Sequence, residues 1–516
     1  MKATAEAMRQ TTGREPHDLP FEAWLAHFIE TPERRPFTFE GRPWLPELAR
    51  AAVTLPNIVV EKASQLGATI LFLCASFYLM ARRELPAGVV YFFPTDGDVR
   101  ELSKTKAFPL LDRSYLRGLV AGRADEVYLK RIADSWLYFR GTHSTIRMKA
   151  ISADVANFDE ADEIPAEALA MARERIHASK LQWERHFSIP TVPNYGVDRS
   201  FQATDQRFWT FRCAACSKEF DLETHFPNSL TVAKDGTVLR CCPACKHPVA
   251  LDDGRWIARN PGARGAGFHL SQLLSPTVEP ADLLREYTST DRVPQFMRGR
   301  LGLPYVEASG KLSEGEVLDL CGAVERANTA ERAFVGIDVG RVLHWVAVVN
   351  DGAVRVIGMG EEPTFEAMER RLRELNCEKF VVDALPETHY AIQLAERFRG
   401  IGWLNYYTAS KQPPRWTEDE ARNFLRVDCN RTEQLDRLFG AVKGGKIVLP
   451  RRDALSEEYA KHLSNLIRTN DEDESTGEIE YLYVKTGPDH YAHATLYAML
   501  AAGEWTGPIR SLVFRL

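Results

Sequence analysis

The 516-residue sequence has no run of about 18 apolar residues of the kind that spans a bilayer. Its N-terminus carries no apolar signal-peptide core. These absences predict an intracellular protein with no membrane partner. Positive charge is not in excess either: 65 Lys+Arg stand against 71 Asp+Glu, a net charge of −6. The overall field therefore repels a polyanion, and a nucleic-acid partner would need local basic grooves. Cysteine is scarce. Of nine, five fall within residues 213–245, a clustering that argues for metal rather than disulfides. What remains is an ordinary globular composition, 45% hydrophobic and 26% charged, with length for two or three domains.

Residues 55–72, LPNIVVEKASQLGATILF, read as a buried strand, a tight loop and the start of a helix. A loop opening onto a helix N-terminus offers backbone N–H groups and a positive dipole end, which suit a phosphate. The usual spelling of such a loop is G-x-x-x-x-G-K-[ST]. With Gly67 as the second glycine, Ala68 stands where the lysine belongs, and Thr69 keeps the hydroxyl that binds Mg²⁺. Lys62 stands at the loop's start, from where it could still reach the β/γ-phosphates of ATP. Ser64, Gln65, Gly67 and Ala68 then line the phosphate site. A plain strand–turn–helix is the bland alternative.

Before this stretch, Phe21, Trp24, Leu25, Phe28 and Ile29 fall at helical spacing. That helix either packs on its own domain or docks a partner. After it, residues 89–94 form a second buried strand. Residues 146–162, IRMKAISADVANFDEAD, bring Asp159 and Glu160 to the end of an apolar approach. At the carboxyl end of a strand, the first carboxylate can hold Mg²⁺ and the second can polarise an attacking water. Residues 187–194 form a third strand whose Ser188 or Thr191 could sense the γ-phosphate, or simply end the strand. Residues 283–301 read as a basic helix with aromatics, suited to a phosphate backbone or to solvent. Residues 306–330 read as a linker.

The cysteines have metal spacing: Cys213-x-x-Cys216 and Cys242-x-x-Cys245 form two knuckles that bring four thiolates round one Zn²⁺. Cys241 lacks the two-residue spacing to Cys245. A closed four-thiolate site is structural, and the module is expected to be a small zinc ribbon with Asp235-Gly236 at its hairpin turn.

The C-terminal part repeats another pattern. Residues 333–340, AFVGIDVG, place Asp338 near a strand end. Two strands joined by a turn at Asp351-Gly352 follow, and residues 379–383, KFVVD, end on Asp383. Late in the chain Asp489 and His493 are four apart, on one helical face. Three acids at these points fit the ribonuclease H-like plan, in which two divalent metals activate water against a phosphodiester.

Taken together, KASQLGAT at 62–69, NFDEAD at 157–162, the four-cysteine insertion, GIDVG at 336–340, VVDA at 381–384 and DHYAHATLYAML at 489–500 resemble the large terminase subunit of tailed phages or prophages, lambda-type branch, over roughly residues 40–502. The resemblance implies an α/β chain: a P-loop NTPase (RecA/ASCE-like) domain with an inserted zinc ribbon, followed by a ribonuclease H-like nuclease. It implies domains at 1–45 (partner or docking segment), 46–305 (ATPase, ribbon about 211–248), 306–330 (linker) and 331–516 (nuclease). It implies an ATP-driven motor that packages and cuts concatemeric double-stranded DNA, in the cytoplasm of the bacterial host. A small terminase subunit, a portal on the procapsid and a pentameric ring of copies would be its partners. Lys62 would contact phosphates, Thr69 and Asp159 would hold Mg²⁺, and Glu160 would be the catalytic carboxylate. Asp338, Asp383 and Asp489 would hold the nuclease metals.

Two residues depart from the family pattern: Ala68, and His493 where an acid is expected. An imidazole is a poorer Mg²⁺ ligand than a carboxylate, but it can ligate Mn²⁺ or act as a base. A repair or remodelling helicase-nuclease, which would unwind duplexes, and a non-enzymatic zinc-ribbon DNA-binding adaptor are the alternative readings. Metal analysis of the purified chain should return about one zinc per molecule; none would remove the ribbon.

Overall fold

A computed structural model describes residues 2–143, 148, 151–290, 292–307, 310–327, 333–350, 352–410, 412–419, 424–472 and 479–503. Asp351 of the expected turn, and 146, 147, 149 and 150 of the expected approach to Asp159, lie outside them. The chain divides into two compact units, Met1–Tyr305 and Val306–Leu516. Among the described residues no helix is long and apolar enough to cross a membrane.

Unit 1 is a mixed α/β fold on an 11-stranded sheet. Its centre is six parallel strands: β1 (Asn57–Lys62), β2 (Val89–Phe93), β3 (Ser135–Gly141), β4 (Val155–Asp159), β5 (Trp183–Ser188) and β6 (Ala266–Leu270). They lie in the order β6-β1-β5-β4-β2-β3. VVYFF, VANFD and AGFHL are buried at every position, as parallel strands covered on both faces must be. The helix α1 (Ala68–Ala81) follows β1. Its sequence ATILFLCASFYLMA is apolar all round, so it is buried on nearly every side.

The helix Phe21–Phe28 is present. Its Phe21, Trp24, Leu25 and Phe28, with Ile29 beyond it, are buried in unit 1's own core, and the Trp24 indole donates to the Tyr115 hydroxyl at 3.0 Å. Residues 283–301 form two helices, Pro280–Ser289 and Val293–Leu301, rather than one. Thr290 caps the break by accepting from the Arg292 N–H, and Pro294 opens the second helix.

Unit 2 carries an eight-stranded sheet. Strands β7 (Ala333–Val339), β8 (Leu343–Asn350) and β9 (Val354–Glu362) form an antiparallel meander. On the other side of β7 lie β10 (Cys377–Asp383), β11 (Gly402–Tyr407) and β12 (Phe424–Cys429), all parallel. Residues 306–327, read from sequence as a linker, belong to this unit. The helix Glu314–Leu318 starts on a Ser313 cap, and Leu312 and Val317 are buried in the unit's core. Two buried anchors in an otherwise polar stretch are too sparse to show as periodicity.

A late helix, α2 (His490–Ala501), lies directly on β7. The contact is backbone to backbone at Gly336, where a Cβ would stand 1.9 Å from the Ala494 carbonyl oxygen and 2.2 Å from the Ala498 nitrogen. Only glycine permits that approach, and it holds the first turn of α2 beside the end of β7. Gly336→Ala should destabilise unit 2 by about 1–3 kcal/mol, the usual cost of overpacking. Hydrogen exchange should show the loss in α2 first; protection equal to wild type would mean that α2 can lift without cost.

Candidate functional site

In unit 1, β1 ends on Lys62 and the chain turns through Gln65 (φ 58) and Gly67 (φ 81), both left-handed, into α1. The helix has no side-chain cap, and no atom stands within 4 Å of where a Gly67 Cβ would lie. An uncapped N-terminus facing open space is an anion seat. The start of the loop is pinned. Ala63 N–H donates to Leu270 O at 2.7 Å, Ser64 N–H and Oγ donate to Gly299 O at 2.9 and 3.0 Å, and Gln272 Nε2 donates to Ser64 Oγ at 3.0 Å.

Opposite the loop, β4 ends on Asp159. Glu160 follows with φ 51 and ψ 51, a conformation that costs a non-glycine residue free energy and collects at functional sites. Lys62 Nζ lies 2.9 Å from Glu160 Oε1, and Thr69 Oγ1 donates to Asp159 Oδ1 at 3.3 Å. From β5, Ser188 Oγ donates to Glu160 Oε2 at 3.1 Å. Burial pushes Asp159 up to about 7, and the adjacent Glu160 adds to it. Burial would raise Glu160 as well, but Lys62 and the Ser188 hydrogen bond hold it below the usual carboxylate range. Burial works against the charge on Lys62, and Glu160 and Asp159 more than restore it.

Unit 2 gathers a second polar cluster at the ends of β7 and β10. Asp338 Oδ2 lies 2.8 Å from His490 Nδ1. Asp383, on the neighbouring strand, accepts from the Leu385 N–H at 3.2 Å and is pushed up to about 6 by burial, with Asp338 adding to it. Asp489, the residue before α2, lies 3.3 Å from His493 Nε2. Burial opposes its ionisation, yet His493, Lys485 and Arg431 hold it down at about 2. Tyr407 OH bonds His493 Nδ1 at 2.7 Å.

The sulfurs of Cys213, Cys216, Cys242 and Cys245 all lie within 4.8 Å of one another, with contacts of 3.4 Å (Cys213–Cys245) and 3.6 Å (Cys216–Cys242). Zinc–sulfur bonds of about 2.3 Å set tetrahedral edges near ~3.8 Å, so the donor set fits that ion. Cys241 stays outside the cluster, 3.8 Å from Asn228 O. Between the knuckles the strands Leu230–Val232 and Val238–Arg240 pair antiparallel, on either side of Asp235-Gly236.

With this geometry in place, comparison with known families becomes informative. Residues 36–262 match the family described as phage terminase large subunit gpA, ATPase domain. Over those residues the chain is similar to the ATPase domain of phage terminase large subunits. The solved HK97 bacteriophage large terminase has a similar fold: TM-score 0.52 at 13% identity, over 94% of this chain and 98% of that one. The large terminase of the thermophilic bacteriophage D6E matches at TM-score 0.32 and 12% identity, over 87% and 97% of the two chains. The comparison with curated proteins found no match.

Several residues around the loop of unit 1 carry little signal in the local sequence pattern. Asp162 received no role; it is buried and accepts from the N–H and hydroxyl of Thr191 and from Val197 N–H, while its own N–H donates to Ser188 Oγ. It thereby sets the loop after β5. Behind Lys62, Glu61 and His269 form a buried chain. Burial lowers His269 below the usual imidazole value and keeps the ring neutral, so with Nε2 donating to Leu301 O (3.0 Å), Nδ1 accepts a hydrogen bond from Glu61 Oε2 at 3.1 Å. Burial raises Glu61 well above the usual range, consistent with a protonated donor. Glu223 stands 3.9 Å from His269 Nε2 and is pushed up to about 7 by burial, with Asp221 adding to it. A lone acid inside an apolar strand, such as Glu61 in NIVVEK, was the available signal.

Glu223 keeps its proton in the folded state over a range where the unfolded chain has lost it. Stability therefore falls as pH rises from about 4.3 toward 7, and the loss is complete above the folded value. Glu223→Gln should melt higher than wild type at pH 8 and converge with it near pH 4, in a pH series of thermal scans. Equal melting at every pH would mean that the buried carboxyl is not held neutral.

Proposed function

We propose that this chain is the ATP-driven motor and nuclease of a terminase of the lambda-type branch, driving double-stranded DNA into a procapsid and cutting concatemers to length. The observation that carries the motor half is the meeting of Lys62, Thr69, Asp159 and Glu160 in front of the Gly67 turn. The strand order supports a RecA/ASCE-like reading, because β5 lies between the loop strand β1 and the acidic strand β4.

Thr69 and Asp159 would hold Mg²⁺, which screens the phosphate charge. Ser64, Gln65, Gly67 and Ala68 would line the phosphates, with main-chain N–H groups taking the part that a lysine at position 68 would play. Lys62 is shared: it bonds Glu160, and a γ-phosphate would compete for the same ammonium. Glu160, so released, orients and polarises the attacking water, with Ser188 as its hinge and γ-phosphate sensor.

The nuclease half rests on the β9-β8-β7-β10-β11 order and on the polar cluster at the ends of β7 and β10, which support a ribonuclease H-like reading. Asp338, Asp383 and Asp489 would hold divalent metal, Mg²⁺ or Mn²⁺, and His493, fixed by Tyr407 and Asp489, would serve as a base or a further ligand. Zinc in the four-cysteine module would act as a staple. A small terminase subunit, a portal and a pentameric ring in the bacterial cytoplasm complete the proposal.

Glu160→Gln should lower DNA-stimulated ATP turnover on the order of 10²-fold while leaving nucleotide binding intact. Unchanged turnover would remove the assignment. Asp383→Asn should abolish metal-dependent DNA cleavage with ATPase retained; parallel loss of both would mean misfolding.

A further inference from the structure

Three antiparallel strands of unit 2 put one polar row across the sheet. Asp338 on β7 is the register partner of His344 on β8, and His344 is the register partner of Glu361 on β9. Directly opposed side chains on one face stand about 4.5–5.5 Å apart at Cβ. His344 Nε2 bonds Glu361 Oε1 at 2.8 Å. A carboxylate accepts, so Nε2 carries the proton and Nδ1 is left with a lone pair. That Nδ1 is buried and, among the described residues, has no hydrogen-bond partner, an arrangement native proteins avoid unless something else satisfies the atom.

The missing partner has an obvious place. His490, the first residue of α2, lays its ring against that of His344, with centroids 4.3 Å apart and 16° between planes. Its Nδ1 contacts Asp338 Oδ2 at 2.8 Å. One ligand atom each from Asp338, His344 and His490 lies within 4.8 Å of the others. His462 also packs nearby but is not counted, because its Nδ1 accepts from Tyr491 N–H at 3.2 Å.

We infer that Asp338, His344 and His490 form a binding site for a first-row transition-metal dication, with Glu361 as the outer carboxylate that fixes the His344 tautomer. Mg²⁺ favours an all-oxygen shell, whereas two imidazoles and one carboxylate favour Mn²⁺ and the metals after it. A carboxylate behind a ligating imidazole is the usual support for such a site. The inference shares Asp338 with the proposed nuclease and rests on that reading only for the use to which the metal is put. It adds two ligands that the three-acid plan does not contain, and it makes the cation choice a property of β8 and α2.

The test uses the full chain with Mn²⁺ as the probe, because Mn²⁺ avoids the four-thiolate module. Pulsed electron paramagnetic resonance of the bound ion should show nitrogen coupling from imidazole, and excess Mg²⁺ should displace it poorly. His490→Gln, at a half-exposed position, and His344→Gln should each weaken Mn²⁺ binding at least about tenfold and reduce that coupling. His389→Ala, at an exposed position outside the cluster, should leave the coupling in place. Mn²⁺ bound without nitrogen coupling, or with full affinity in both His344→Gln and His490→Gln, overturns the site. DNA cleavage is scored separately. Nitrogen-coupled Mn²⁺ without cleavage keeps the site and removes the nuclease reading. Cleavage supported by oxygen-bound Mn²⁺ alone does the reverse.

Discussion

A lysine ammonium buried at the end of a parallel strand needs an opposite charge within reach, because an isolated buried charge costs more than the surrounding packing returns. Lys62 finds it in Glu160, and most of the loop side of unit 1 follows from that pair. For the two to meet, β1 and β4 must end at the same edge of the sheet with one strand between them. That strand is β5, and its last residue, Ser188, supplies the hydroxyl that completes the Glu160 shell. The left-handed backbone at Glu160 is tolerated because its N–H is held by Phe187 O and its carboxylate by three donors. The pair therefore ties strand order, backbone strain and carboxylate charge into one arrangement.

Unit 2 meets a similar demand with different chemistry. Its acids are placed by a helix lying so close to β7 that Gly336 admits no side chain. The closeness is what brings His490 to Asp338 at hydrogen-bond distance. Imidazoles stand around these acids beside Lys485 and Arg431, and an imidazole, unlike those two cations, can donate a lone pair. In unit 1 the carboxylates face a lysine; in unit 2 they face His490 and His493 as well as Lys485 and Arg431.

Much of this was legible locally. A buried strand at 57–62 and a helix from 68 follow from an apolar run, a glycine turn and a second apolar run. The strand ending at Asp159, the strands β7 and β10 with acids at their ends, and the paired cysteine knuckles are equally short-range patterns. What local pattern did not carry was the end of one helix at Ser289 and the start of the next at Val293, the anchoring of 306–327 by Leu312 and Val317, and the roles of Asp162, Glu61 and His269. Asp162 depends on partners 29 and 35 residues away, Glu61 and His269 meet across 208 residues, and the linker hangs on buried side chains in a polar stretch; the helix break is local, set by Thr290 and Pro294.

The sequence by itself determined which groups end each strand: a lysine, an acid pair and a lone aspartate are written into residues 62, 159–160 and 338. It also determined the four-thiolate spacing. Only the tertiary structure decided which of those ends face each other. That outcome hangs on strand order and on backbone contact at Gly336, and the energies behind both come from burial summed over the whole sheet. No single motif contains them. His344 shows the difference most plainly. In the chain it is one histidine in an apolar strand, and only the row Asp338–His344–Glu361 makes its second nitrogen a lone pair in search of a partner.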